Sequence, residues 1–201
     1  MIAVLDYGIG NLRSAEKALQ KVGADARLVT GAAAVEAADG VVLPGVGAFG
    51  RCMSAVRESG LDAAALGAIE AGVPFMGICI GMQMLYDGSE ENPDVPGLGV
   101  LPGLVRALPE GVKRPQMQWN VLQPVDARSP MLSGLDASPW VYFVHSYAPD
   151  ASDDVVATCD YGGSVVAAVA RRNVWATQFH PEKSGTSGLR ILRNFVDRCA
   201  A

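Results

Sequence analysis

The chain has 201 residues, of which 50% are hydrophobic and 18% are charged, and its formal net charge is −5. A nucleic-acid binder needs a basic face, so this acidic composition argues against that class. No apolar run approaches the ~18 residues of a membrane-spanning helix, and we expect no membrane association. The length predicts one domain, residues 1–201, with a substantial apolar core.

The amino terminus and the cysteines indicate the compartment. The first residues, MIAVLDYGIGN, lack the charged flank and the cleavage site of a signal peptide. The four cysteines are far apart in the sequence, without the spacing of a zinc site or a disulfide scaffold: Cys52, Cys79, Cys159 and Cys199. We therefore expect a protein of the reducing cytoplasm, with no bound metal.

Strands and helices alternate in the first half of the chain. In chain order, the predicted elements are strand 2–6, helix 12–22, strand 26–30, a strand in 40–50 that breaks at Pro44, helices 51–60 and 61–72, strand 73–78 and helix 80–88. Such an alternation predicts parallel βαβ units with right-handed crossovers, because a parallel strand pair needs a long connection.

The second half contains short strand candidates that follow one another. They span residues 103–108, 115–122, 140–148, 154–162, 163–171 and 173–180. We therefore predict an α/β protein with a mostly parallel open sheet, flanked by helices, and with antiparallel strands added in the C-terminal half. A last helix, over residues 188–200, places its apolar side chains on one face.

A cysteine stands between two glycines in the segment GICIG, residues 77–81. Strand, sharp turn and helix in this order are the pattern of a nucleophile elbow. The turn would project the Cys79 sulfur from the sheet, the helix start would favour its thiolate, and the amide of Ile80 would point towards a developing oxyanion. The alternative is that Cys79 is a small core residue, as unpaired cysteines often are.

A thiolate nucleophile usually needs a base, and the chain has two histidines. His180 has a carboxylate, Glu182, two residues later, and in an extended segment both side chains would point to the same side. The carboxylate would then orient the imidazole towards the sulfur. The alternative is a surface pair at a strand end. His145 stands in an alternating run, where a hydrogen-bonded structural role is commoner, and we assign it no catalytic role.

A glycine-rich segment, LPGVGAFG, follows a buried strand at residues 43–50. Two glycines around Val46 allow the backbone to approach a ligand closely and to present N–H groups, although an ordinary turn would look the same. A second glycine pair, in YGIGNLRS, lacks the third glycine and the acidic residue of a dinucleotide-binding fingerprint, so we reject that interpretation.

Together these motifs resemble the class I glutamine amidotransferases, a family with a Cys-His-Glu triad on an α/β sheet. The resemblance rests on GICIGMQ for the nucleophile elbow, FHPEKSG for the base and its orienting carboxylate, and PGVGAF for the oxyanion strand. It extends from residue 1 to about residue 197, nearly the whole chain.

The resemblance implies a role for each matching residue. Cys79 would attack the glutamine side-chain amide to form a thioester, His180 would protonate the departing ammonia and then activate water, and Glu182 would orient His180. The amide of Ile80 and, after a peptide rearrangement, that of Val46 would stabilise the oxyanion. The residues that would surround bound glutamine are Gly47, Gln83, Glu91, Ser146 and Tyr147.

Further segments narrow the resemblance to one group within the family, the glutaminase subunits of imidazole glycerol phosphate synthase: DYGIGNLRSAEKAL, PGVGAFG, GMQMLYDGSEE, MQWN and YFVHSY. This implies a heterodimer with a (βα)8-barrel cyclase subunit that receives the ammonia for histidine biosynthesis, and no cofactor. Where that group usually reads Pro-His-Met-Gly-Trp-Asn, this chain has Gln116 and Gln118, which leaves the partner contacts of this stretch open.

Two enzyme alternatives share the elbow. One is another cysteine-dependent amide hydrolase, such as a γ-glutamyl hydrolase, which would act alone on external peptides. The other is a different biosynthetic amidotransferase, against which the DYGIGNLRS segment argues. A binding subunit that kept the fold without the activity would usually have lost its nucleophile or base, and Cys79, His180 and Glu182 are all present here.

Overall fold

The computed structural model describes residues 1–200. Its strands, in chain order, are β1 Ile2–Leu5, β2 Ala26–Val29, β3 Gly40–Gly45, β4 Phe75–Cys79, β5 Gly88–Ser89, β6 Leu104–Ala107, β7 Gln116–Val121, β8 Gln123–Pro124, β9 Trp140–His145, β10 Tyr147–Pro149, β11 Val155–Asp160, β12 Ser164–Arg171 and β13 Val174–Thr177. Its α-helices are α1 Leu12–Lys21, α2 Ala32–Glu36, α3 Phe49–Glu58, α4 Leu61–Glu70, α5 Ile80–Met84 and α6 Gly185–Cys199. Short 3-10 helices span Pro130–Leu132 and Pro181–Lys183.

An eight-stranded mixed sheet forms the centre of the molecule, in the order β2-β1-β3-β4-β13-β12-β11-β8. The first five strands in this order are parallel, and β12, β11 and β8 are added antiparallel. The parallel strands β1 to β4 are joined by helices, because parallel neighbours need long connections. The predicted mixed architecture is therefore confirmed.

The central strands are buried along their whole length. Every residue of β1, β3 and β4 is buried, which is typical of parallel strands with both faces covered. The helices supply apolar faces at helical spacing: Leu12, Ala15 and Leu19 are buried on α1, and Ile191 and Phe195 on α6. Helix α1 packs against α6, and α3 packs against α4 and α5.

Two strand ends differ from the sequence prediction. The third strand continues through Pro44 to Gly45, although we expected it to break at Pro44. A proline lacks the N–H that a ladder uses, but next to the end of a strand one missing donor is tolerated. The last strand of the sheet ends at Thr177, so residues 178–180 leave the sheet instead of extending it.

The carboxyl ends of β3, β4 and β13 meet at one edge of the sheet. Gly45 lies beside Cys79, and Thr177 lies beside Ile78. The segments that leave these three ends therefore converge, and in open α/β sheets ligands bind outside the carboxyl ends of the strands. We therefore expect the ligand-binding site at this edge.

Beside this edge, β7 and β9 form a separate two-stranded antiparallel ribbon. Because side chains alternate along a strand, β9 buries Val141, Phe143 and His145, while the opposite face of the ribbon carries large exposed apolar side chains. The exposed ones are Met117, Trp119 and Trp140, which are 62%, 47% and 54% accessible. Among residues 1–200 no helix has the length and apolar character needed to cross a membrane.

Candidate active site

Cys79 occupies a sharp turn between β4 and α5. Its φ is +56°, an unusual value for a residue with a side chain. A Cβ at Gly77 would lie 2.8 Å from the carbonyl oxygen of Gly81, and one at Gly81 would lie 1.8 Å from that of Leu43. Both flanking glycines are therefore required by backbone that crosses the turn, as the elbow motif predicts.

The Cys79 side chain is 3% exposed, and its sulfur has polar neighbours from two directions. The Nε2 atom of Gln178 donates to Sγ across 3.8 Å, and the carbonyl oxygen of Val144 lies 4.0 Å from Sγ as an acceptor for the thiol. The sulfur is thus neither packed only by apolar atoms nor freely exposed.

His180 and Glu182 form a buried pair. The ring Nδ1 lies 2.8 Å from Glu182 Oε1, and the two side chains are 1% and 3% exposed. Burial opposes the charged form of the ring, but its interactions with the Cys79 sulfur and the Glu182 carboxylate outweigh burial and raise the pKa of His180 to about 10. Its Nε2 has no hydrogen-bond partner within residues 1–200.

The local backbone that joins this pair differs from our expectation of an extended segment. His180 itself is extended, but Pro181–Lys183 form a 3-10 turn, for which proline supplies the fixed φ of the first residue. Ser184 closes the turn: its hydroxyl donates to the His180 carbonyl over 2.6 Å and accepts from the Tyr142 amide over 2.9 Å. The carboxylate therefore reaches the ring through a turn, and the ribbon strand β9 holds that turn in place.

The glycine-rich segment after β3 is anchored at both ends. Tyr7 Oη donates to the Pro44 carbonyl over 2.6 Å, and the Cys52 thiol lies 3.5 Å from the Val46 carbonyl. Gly47 has a φ of +105°, which favours glycine. Glu91 accepts from the Phe49 amide over 2.8 Å, just beyond the segment. The loop is thereby held beside Cys79 with its backbone facing the site.

A cavity of about 230 Å³ lies where these elements meet. Its wall consists of Val46, Gly47, Cys79, Ile80, Gln83, Glu91, Pro115, Val144, His145, Ser146, Tyr147 and His180. Every residue predicted from the sequence to be catalytic, oxyanion-stabilising or substrate-binding lines this cavity except Glu182, which contacts His180. A thiol, an imidazole with a carboxylate partner and backbone amides around one small cavity suit acyl transfer through a thioester.

Residues 3–199 match the family model described as glutamine amidotransferase class-I. The chain belongs to this family. The recognition made from the sequence is confirmed. Among residues 1–200 no group of three or more histidine, cysteine or acidic side chains is arranged to hold a metal ion.

Curated relatives of this amidotransferase match it over almost its full length. A protein of Methanothermobacter thermautotrophicus named "Imidazole glycerol phosphate synthase subunit HisH" is 50% identical over 198 residues, which cover 98% of each chain. A protein of Syntrophotalea carbinolica with the same name is 48% identical over 206 residues, covering 98% of this chain and 100% of the relative.

Solved structures share the fold of this amidotransferase. One described as "Crystal structure of glutamine amidotransferase" has a TM-score of 0.79 at 24% identity and covers 100% of this chain and 99% of its own. PurLQS from Thermotoga maritima has a TM-score of 0.75 at 22% identity and covers 98% and 97%. The predicted α/β fold class is confirmed by these neighbours.

The amidotransferase site contains two polar residues to which the sequence analysis gave no part in the site: Gln178, which it did not single out, and His145, to which it assigned no catalytic role. Gln178 contacts the sulfur, and His145 lines the cavity, where its Nδ1 donates to the Tyr147 carbonyl over 2.8 Å. Burial lowers the pKa of His145 to about 4, so the ring is neutral near pH 7. The one sequence signal for Gln178 is its place two residues before His180. Its partners lie 95 and 99 residues away, which no local pattern reveals.

Proposed function

We propose that this amidotransferase is the glutaminase subunit of imidazole glycerol phosphate synthase. It hydrolyses glutamine to glutamate and ammonia and passes the ammonia to a cyclase subunit. The cyclase then makes imidazole glycerol phosphate and an aminoimidazole carboxamide ribonucleotide in histidine biosynthesis. The placement of Cys79 and the buried His180–Glu182 pair around one cavity carries the proposal for the glutaminase reaction. Relatives that are 50% and 48% identical in sequence over nearly the full length support the choice of this synthase.

Cys79 is the nucleophile of the proposed reaction. Its thiol proton passes to His180, and the sulfur attacks the side-chain carbonyl carbon of glutamine to give a tetrahedral intermediate. His180 returns the proton to the departing nitrogen, so that ammonia leaves and a thioester remains. His180 then takes a proton from water, whose oxygen attacks the thioester; glutamate leaves as the carbon–sulfur bond breaks, and His180 returns the proton to the sulfur. Glu182, 2.8 Å from Nδ1, keeps the ring oriented with Nε2 free for these transfers.

Backbone amides stabilise the negative oxygen of both tetrahedral intermediates. The Ile80 amide is the first of α5 and follows the nucleophile directly. The second donor is the Val46 amide, which reaches the oxyanion after a rearrangement of the glycine-flanked peptide. Loss of one such donor costs about 10²–10³ in rate, so the conformation of this peptide is an effective switch.

Glutamine occupies the cavity through polar groups of its wall. The carboxylate of Glu91 attracts the ammonium group of the amino acid, while Gly47, Ser146 and Tyr147 offer backbone donors and acceptors. Gln83 presents its Oε1, which has no partner within residues 1–200, to an N–H of the ligand. A cavity of about 230 Å³ suits one amino acid better than a peptide.

The partner is a (βα)8-barrel cyclase, and the two subunits form a heterodimer in the cytoplasm. The exposed apolar face of the β7–β9 ribbon is its docking surface, because isolated apolar patches of this kind mark interaction sites. The same ribbon contributes Val144 and His145 to the cavity wall, so the docking surface is continuous with the site. Asn11 and its glycine-rich turn follow β1 at the same sheet edge and contact the barrel as well.

Glutamate release from glutamine tests the proposal. It is measured with the purified chain alone, with the cyclase subunit, and with cyclase plus its nucleotide ligand, with Cys79→Ala as the control. We expect very low activity in the isolated chain, a large increase that needs both partner and ligand, and none in the variant. Activity indifferent to the partner would instead identify an independent cysteine hydrolase, and activity that survives Cys79→Ala would reject the mechanism.

A further inference from the structure

A row of buried amide groups connects the nucleophile with the segment after β9. Gln178 is fully buried, and its Oε1 accepts from Gln83 Nε2 over 2.9 Å while its own Nε2 lies 3.8 Å from Cys79 Sγ. Gln83, 1% exposed, uses its second N–H to donate to the Tyr147 carbonyl over 3.1 Å. Gln178 stands outside the cavity wall and is not placed to touch a bound substrate.

The direction of this row is fixed by one backbone group. A carbonyl oxygen can only accept, so Gln83 must present its NH2 group to Tyr147. The same NH2 group faces Gln178, which must therefore offer its oxygen there and its own NH2 group to the sulfur. Reversal of either amide would bring two donors or two acceptors together, which is costly between side chains as deeply buried as these.

We propose that Gln178 is a positioning residue that donates an N–H to the Cys79 thiolate, with its orientation fixed through Gln83 by the Tyr147 carbonyl. This deepens the proposed glutaminase function and rests on it. The thiolate, not the thiol, is the nucleophile, and a donor bonded to the charged form favours that form. When the sulfur is protonated, its S–H donates a hydrogen bond to the Val144 carbonyl at 4.0 Å. Each state of the sulfur thus has a partner other than His180.

The alternative role for Gln178 is to fill space between β13 and α5. The two roles are separable, because a space-filling residue does not change the pH at which the Cys79 thiol ionises. Replacement of Gln178 by methionine preserves length and volume but removes both amide contacts. Gln178→Glu preserves the shape and the acceptor for Gln83, while it removes the donor and places a negative charge beside the sulfur.

The experiment follows alkylation of Cys79 by iodoacetamide in the isolated chain, between about pH 5 and 10, with the Cys79 peptide quantified by mass spectrometry. We expect Gln178→Met to raise the midpoint of the pH profile by about one unit, the value of one hydrogen bond to a charged group. Gln178→Glu should raise it further. The matched control is Gln116→Met, since Gln116 is equally buried and its Nε2 lies 3.7 Å from a different sulfur, that of Cys159.

A midpoint that does not move in a folded Gln178→Met protein would overturn the inference, as would an equal shift in Gln116→Met. If Gln178→Met fails to fold, Gln178→Leu, which also removes the donor without adding a charge, decides in the same way. With cyclase, ligand and glutamine, kcat should fall about tenfold in Gln178→Met while KM stays unchanged. The alkylation experiment needs neither glutamine nor the cyclase subunit. An unmoved midpoint in an active glutaminase therefore rejects this inference alone, and a moved midpoint without glutaminase activity in the unaltered protein rejects the proposed function.

Discussion

Two histidines line the same cavity, and their surroundings shift their pKa values in opposite directions. His180 is paired with the Glu182 carboxylate and the Cys79 sulfur, which raise its pKa to about 10 against the effect of burial. His145 is buried beside a backbone carbonyl and has no carboxylate partner, so burial dominates and lowers its pKa to about 4. Near pH 7 the His180 ring therefore holds a proton beside the sulfur, whereas the His145 ring is neutral.

The lowered pKa of His145 predicts a loss of stability in mild acid. The unfolded chain protonates this histidine near pH 6.5 and the folded chain only near pH 4, so the unfolded state binds more protons between these values and stability falls as the pH falls. Between pH 7 and pH 5 the loss is about 2 kcal/mol. His180, with its raised pKa, acts in the opposite direction: its stabilisation is complete below pH 6.5 and is lost as the pH rises towards 10, so between pH 7 and pH 5 it offsets about 1 kcal/mol of this loss.

Urea unfolding at pH 7 and at pH 5 measures this effect. Between pH 7 and pH 5 the unaltered protein should lose about 2 kcal/mol more unfolding free energy than His145→Gln, because the contribution of His180 is common to both. The comparison uses the difference between pH values within each protein, so a general destabilisation by the substitution cancels. Equal slopes in both proteins would show that another group titrates.

The elbow is determined by the elements that cross it. Helix α5 leaves β4 so steeply that its first turn lies against β3, and only glycine fits at residues 77 and 81. The strained φ of Cys79 is held by this packing, because a side chain rarely adopts such a value unless its surroundings require it. The turn type is thus a consequence of strand–helix geometry as much as of local propensity.

Two glycine-to-alanine substitutions separate crowding from helix propensity. Gly81→Ala would place its Cβ 1.8 Å from the Leu43 carbonyl oxygen, so we expect a loss of more than about 3 kcal/mol of unfolding free energy. Gly67→Ala, in α4, meets nothing within 4 Å and should stabilise the protein by roughly 0.5–1 kcal/mol. Urea unfolding checks both. A tolerated Gly81→Ala would contradict the described contact between α5 and β3.

At the scale of the whole molecule, three strand ends and the β7–β9 ribbon lie together and form the walls of one cavity. The ends of β3, β4 and β13 carry the glycine-rich loop, Cys79 and the segment that leads to His180. The ribbon covers them from outside and turns an apolar face, with Trp119 and Trp140, to the surroundings. The Trp119 ring packs edge to face against that of Tyr142, with the ring centroids 6.0 Å apart.

Trp119→Ala should weaken binding of the cyclase without destabilising the isolated chain. A half-exposed tryptophan contributes little to folding here, whereas tryptophans at interface centres often contribute about 2 kcal/mol or more to binding, roughly thirtyfold in Kd. Isothermal titration calorimetry with the cyclase measures the affinity. The control is Val125→Ser, since Val125 is 63% exposed but lies outside the ribbon. Unchanged affinity in Trp119→Ala would exclude this face as the docking surface.

Much of the fold could be predicted from the sequence, because its signals are local. Alternating strand and helix patterns predicted the parallel half of the sheet, and closely spaced strand candidates predicted the antiparallel half. The nucleophile elbow and the His180–Glu182 pair were also visible, since their residues are adjacent or two apart. The errors fell at element ends: β3 continues past Pro44, and residues 181–183 form a 3-10 turn instead of an extended segment.

The sequence by itself determined the family, the fold class and the short motifs that carry the candidate chemistry, because these depend on periodicity and on residues a few positions apart. Only the tertiary structure decided which groups meet across the chain. The Gln83–Gln178 contact joins residues 95 positions apart, and the strand ends that bring Val46, Cys79 and His180 to one cavity are neighbours only in the folded sheet. Such contacts depend on strand order and register, which local propensity does not encode.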